Sequence, residues 1–138
     1  MQEREGMNSK GGILLLNTSD RDVHIPFDLI RDPMPERFRF MWIMLKSFCH
    51  INPAAKNYSF TWVSMEKVAK CIGISVVTAF GRIKALREMA WLTTIRRGLG
   101  KTNIYILHAK KGERIPVAKK REYKRAADER IMDYFNRQ

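Results

Sequence analysis

The three residues Gly73, Ile74 and Ser75 fix a corner between two helices. Upstream, Met65, Val68, Ala69 and Ile72 recur at helical spacing behind Ser64, a side chain suited to accept from the open N–H groups of a first turn. Glycine at 73 readily takes the left-handed conformation that ends a helix. Ser75 then opens a second helix that runs to about Ala90, with Ala79, Ile83, Leu86 and Ala90 on the side that packs on a core. A separation of about three residues is helix-turn-helix spacing.

The flanking segments fit around that corner. "ILLL" (13–16) and "VHIPF" (23–27) read as short strands around a run of turn formers, with Pro26 restricting the second to an edge. A helix is expected from about 35 to 50, capped by Asp32, with Phe38, Met41, Trp42, Leu45 and Cys49 at helical spacing. Phe40, Ile43, Met44 and Phe48 make its other side apolar as well, the pattern of a central buried helix. "INPAAKN" reads as a loop and "YSFTWV" as a strand. "WLTTIRR", "GLGK" and "TNIYIL" read as a hairpin with a glycine-containing turn. Gly112 and Pro116 interrupt the tail before a helix from about Val117. The expected fold is therefore α+β. A winged helix-turn-helix domain over 13–107 has a three-helix core, a short strand and a C-terminal β-hairpin wing. A flexible arm over 1–12 precedes it, and a basic linker and helix over 108–138 follow.

Within this frame residues 58–107, and more loosely the helix from 35 to 50, resemble the winged helix-turn-helix domains of plasmid and phage replication proteins and related bacterial regulators. Trp62 and Ser64 match the opening of the pattern, and Ala69, Gly73, Ser75 and Thr78 match the turn. Arg82, Ile83 and Leu86 match the third helix, and Tyr105 and Leu107 close the hairpin. Ala90 stands where the family turns on glycine, and Gly81 where it carries a polar residue. The resemblance implies binding to double-stranded DNA, in replication initiation or transcription control on a plasmid, phage or other mobile element.

Charge points the same way. The chain of 138 residues carries a net charge of +12. Residues 75–101 hold six bases against one acid, and 108–138 hold ten against five, whereas 1–30 are net acidic. A localised excess is a footprint for phosphates, although a solvated basic face has the same composition. On the outward side of the second helix, Val77, Thr78, Gly81, Lys84, Ala85 and Glu88 make an unusually bare strip. Small residues there let a backbone approach a major groove; Val77 and Ala85 suit a thymine methyl, Thr78 a phosphate or base edge, and Arg82 and Lys84 phosphates or guanine. Arg96, Arg97 and Lys101 surround Gly98 and Gly100 at the hairpin tip and suit a phosphate strand or minor groove. The first turn behind Ser64 offers N–H groups to a phosphate, and Ser75 stands at the start of the reading helix.

Other classes are disfavoured. His24, His50 and His108 lack partner patterns, and "GLGK" lacks the spacing and setting of a phosphate loop, so no enzyme, cofactor or metal is expected. Cys49 and Cys71 fit core positions better than a disulfide or a zinc site. The longest apolar run is short and the N-terminus resembles no signal or transit peptide, so a cytoplasmic protein without membrane contact is expected. Single-strand or RNA binding lacks an aromatic platform. The rival reading is a protein-interaction module that uses Val76, Val77 and Phe80. The tail helix either docks on the body or pairs two copies into a homodimer.

Overall fold

The computed structural model describes the backbone of residues 13–18, 21–49 and 58–136, and the side chains of 23–49 and 58–129. The arm expected over 1–12 and the loop expected over 51–57 lie outside the described residues. Strands β1 (Ile13–Thr18) and β2 (Arg21–Pro26) pair antiparallel, with Leu15 opposite His24. In a two-stranded ribbon both strands are edges, and this accommodates Pro26. Helix α1 (Phe27–Arg31) follows at once, and α2 (Glu36–Lys46) after a corner.

That corner departs from expectation. Asp32 does not cap α2, whose N-cap is Pro35 with no side-chain bond. Prolines 33 and 35 keep the preceding residues extended, so Asp32 ends α1 instead, with its N–H on the Asp28 carbonyl. Its carboxylate accepts from Trp91 Nε1 at 3.0 Å and lies 3.4 Å from Lys111 Nζ. Buried Arg39 secures the same corner, donating to the Leu29 and Asp32 carbonyls and pairing with Glu36.

The second half contains β3 (Phe60–Thr61), α3 (Met65–Ile72), α4 (Val76–Glu88), β4 (Leu92–Ile95), β5 (Ile104–Leu107) and α5 (Val117–Asn136). The architecture is mixed α+β, with a three-stranded antiparallel sheet in the order β3-β5-β4. Thr93 and Phe60 flank Ile106 on either side of the central strand. Every residue of β5 is buried. By strand alternation, Tyr105 and Leu107 join the main core with Met41, Trp42, Leu45, Val68, Ile83 and Leu86. Ile104 and Ile106 face the other way, into a second cluster with Phe60.

The second cluster extends beyond Leu107 to residues of α5. A strand apolar on both faces needs cover on both, and α5 supplies it on the outer side. Tyr123 stacks on Phe60 with ring centroids 4.4 Å apart, and Ala127 is fully buried. The described part of α5 thus docks on the body; the side chains of Ile131 and Tyr134 lie outside the described residues. Cys49 is buried, but Cys71 is exposed. The short α3 buries Met65, Val68 and Ala69, and position 71 falls on its open side. No described helix is long and apolar enough to cross a membrane.

Among the described residues, Ala90 is the sole non-glycine with positive φ, at 65°. It turns the chain from α4 into β4, and its carbonyl accepts from Gly112 N at 2.7 Å and meets His108 Nδ1 at 2.8 Å. A β-carbon in this conformation costs about 1–2 kcal/mol. Ala90→Gly is therefore expected to stabilise the fold by up to about 1 kcal/mol, because glycine's larger unfolded-state entropy offsets part of the relief. A shift of the urea midpoint to higher concentration checks this; a lower midpoint would show that the methyl contacts outweigh the backbone relief.

Candidate nucleic-acid interface

The corner between α3 and α4 forms by the local chemistry its sequence specifies. Ser64 Oγ accepts from Lys67 N at 3.2 Å and opens α3. Gly73 takes φ 73°, and Ile74 N reaches back to the Ala69 carbonyl at 3.0 Å. Ser75 Oγ accepts from Thr78 N at 3.0 Å and donates to Thr78 Oγ1 at 2.9 Å, which ties the first turn of α4. The two helix starts differ electrically. Glu66 stands in the first turn of α3, whereas α4 has no acid in its first turn. The positive end of the α4 dipole is thus open to an anion, while that of α3 already has a carboxylate beside it. Ser64 is accordingly the weaker of the two starts for a phosphate.

Ala79, Ile83 and Leu86 lock α4 onto the core. Its opposite side is bare and partly apolar: Val77 is 81% exposed and Phe80 47%. Thr78, Gly81, Lys84 and Arg87 are exposed with them. A β-carbon added at Gly81 would meet nothing within 4 Å, so no internal packing requires glycine there. Arg82 lies half-buried on the flank, its Nε shielded from solvent without a protein acceptor. Val77, Thr78, Gly81 and Lys84 therefore do share one outward face of one rigid helix, as their spacing predicts.

The β4–β5 hairpin separates its three bases. Arg96 and Lys101 are exposed at the tip, where Gly98 and Gly100 adopt φ of 111° and 77°. Arg97 corrects the sequence reading: its side chain is only 1% exposed and is not available to a phosphate. Its Nε donates to the Thr102 carbonyl at 2.8 Å, one terminal nitrogen to Thr102 Oγ1 at 3.0 Å, and the other to Asp128 on α5 at 2.9 Å. Thr102 Oγ1 in turn donates to the Trp62 carbonyl. The planar fork of guanidinium suits several acceptors at once, so Arg97 ties the hairpin base to β3 and α5. Arg97→Ala is expected to cost about 1–3 kcal/mol of stability, measured by denaturant unfolding. Asp128→Asn should cost less, because its carboxylate is 37% exposed. Equal, negligible effects would mean that water replaces the network without loss.

Leu99, at the tip between the two glycines, is fully exposed. Its sequence signal is an apolar residue inside a glycine turn, set among the more conspicuous charges of the tip. The Arg97–Asp128 pair left no such signal, since no periodicity links the two positions. His108, by contrast, has a structural role: it is buried and joins Thr93 Oγ1 at 2.6 Å to the Ala90 carbonyl.

Among the described residues there is no group of three or more metal-ligating side chains. The sequence matches no protein-family model, and no curated protein and no solved structure matches the chain.

Proposed function

We propose that the chain is a winged helix-turn-helix protein that binds double-stranded DNA, with α4 in the major groove and the β4–β5 hairpin as a wing on an adjacent groove. The observation that carries the reading is the outward face of α4. It combines Gly81, for which the fold has no packing use, with exposed Val77 and Thr78 and the cation of Lys84. Such a face admits close approach of a duplex. Val77 and Phe80 suit thymine methyl groups, Thr78 and Lys84 suit phosphates or base edges, and Arg82 flanks the strip. Arg96 and Lys101 grip the phosphate backbone without reading sequence. Following the resemblance noted in the sequence, the role is replication initiation or transcription control on a plasmid, phage or other mobile element, in the cytoplasm. Two copies bound to paired half-sites fit such a role.

Titration of a labelled duplex tests the reading. Arg96→Ala and Lys101→Ala are expected to weaken binding to all sequences alike and to lower the salt slope by about 1 each. Lys84→Ala and Thr78→Ala are expected to alter the preferred site in a selection experiment. Absence of duplex binding by the folded protein at low salt would reject the reading. The second reading, a protein-interaction module, is favoured by one observation, the exposed apolar side chains Val77, Phe80 and Leu99. It requires that binding to random duplex be absent.

A further inference from the structure

A cavity of about 210 Å³ lies on the side of the sheet where β2, α2 and the chain after β5 meet. It is lined by His24, Trp42, Lys46, Tyr58, Leu107 and Lys110, among others. Its polar and apolar parts are distinct in kind. Pro26, Ala109 and the Tyr58 ring give the accessible apolar wall, and Trp42 and Leu107, only 2% and 3% exposed, lie beneath it. Lys46 and Lys110 supply positive charge, and the Tyr58 hydroxyl and His24 Nδ1 share a hydrogen bond beside them.

Lys46 is the unusual member. The residue is only 8% exposed, its ammonium donates to the Tyr58 carbonyl, and it stands 3.5 Å from the centroid of the Tyr58 ring. Among the described residues no carboxylate pairs with it. Buried charges are ordinarily paired, and the ring face and one carbonyl compensate this one only in part. Burial accordingly lowers the Lys46 pKa from its ordinary value. Retaining a cation at an apolar cavity without an acid leaves a place for a negative charge from outside.

We infer that this cavity binds a small carboxylate with an apolar body, its carboxylate on Lys46 and Lys110 and its hydrocarbon part against Pro26, Ala109 and the Tyr58 ring. Size sets the class. A cavity of about 150 Å³ holds a benzene ring, so 210 Å³ takes a six-membered ring or short branched chain together with a carboxylate. Inorganic phosphate would satisfy the charge and leave the apolar wall empty. The cavity involves none of the α4 or hairpin residues assigned to DNA, and the inference stands apart from that reading.

The test uses the full chain, with benzoate and 3-methylbutanoate as probes and benzamide and inorganic phosphate as controls at matched ionic strength. Thermal melting and tryptophan fluorescence are followed in parallel, since Trp42 lines the site. The expected result is a saturable rise in Tm and a saturable fluorescence change with at least one carboxylate, and neither with the controls. Lys46→Met is expected to raise the half-saturating concentration more than tenfold, and Lys110→Ala by a smaller factor. Should Lys46→Met fail to fold, Ala109→Trp, at an exposed position on the cavity lining, serves instead and is expected to abolish the response. Absence of saturation with both carboxylates, an equal response to benzamide or phosphate, or an undiminished response in the folded variants overturns the inference.

Discussion

Raising salt from about 50 to about 200 mM is expected to weaken binding to a random-sequence duplex by about 150- to 500-fold. The size follows from the number of cations free to meet phosphates. Sequence alone gives residues 75–101 six bases, but Arg97 is consumed inside the protein by Thr102 and Asp128. Arg82, Lys84, Arg87 and Arg96 remain, with Lys101 as a fifth that is half exposed and 3.7 Å from the Asp128 carboxylate. Four or five neutralised phosphates correspond to a log–log slope of about −3.6 to −4.5. The exposed bases of α5 with described side chains, Lys119, Arg121, Lys124 and Arg125, set the upper bound. A slope steeper than about −6 would mean that α5 also lies along the duplex. A slope near zero would remove the electrostatic contact and with it the nucleic-acid reading. Fluorescence anisotropy of a labelled duplex across that salt range measures the slope directly.

The difference between six bases and five illustrates which parts of this fold could be read in advance. Ser64, Gly73 and Ser75 act on backbone groups a few residues away, so their roles are written locally and appear in the structure as spacing predicts. The buried side of α4 is equally local, because Ala79, Ile83 and Leu86 repeat with the helix period. Asp32 and Arg97 follow no such rule. Asp32 has the features of a cap, yet its carboxylate serves an indole 59 residues away. Arg97 has the features of a tip cation, yet its partner Asp128 is 31 residues away on another element. A polar side chain takes the partner that the tertiary fold brings to it, and charge patterning along the chain does not encode that meeting. The docking of α5 was half-legible. Tyr123 and Ala127 share a helix face, and the wholly apolar "IYIL" strand called for cover on both sides. The same stripe suits a second copy equally well, so the sequence leaves docking and pairing as open alternatives.

Gly81→Leu is expected to leave the protein folded and to lower affinity for its preferred site by about 10³-fold or more, to the level of non-specific binding. Two substitutions at this position separate the demands of folding from those of binding. Nothing in the protein lies within 4 Å of an added β-carbon, so Gly81→Ala meets no clash and gains helix propensity of up to about 1 kcal/mol. Leucine starts from the same open β-carbon position on an exposed face, and its helix propensity is close to that of alanine. Stability should therefore rise or hold in both variants, as circular dichroism melting would show. Binding should divide them. A methyl at position 81 adds little bulk to a face already bearing Val77, whereas an isobutyl group beside Thr78 and Lys84 holds the helix axis off the floor of the groove. The phosphate contacts proposed for Arg96 and Lys101 do not require that depth, so weak, salt-sensitive affinity for any duplex should survive in Gly81→Leu. This residual binding distinguishes a blocked reading helix from a misfolded protein. If Gly81→Leu folds and keeps its full site affinity, the bare strip of α4 does not face DNA. Phe80 and Val77 would then belong to a protein interface, and any phosphate contact would have to come from the hairpin and α5 alone.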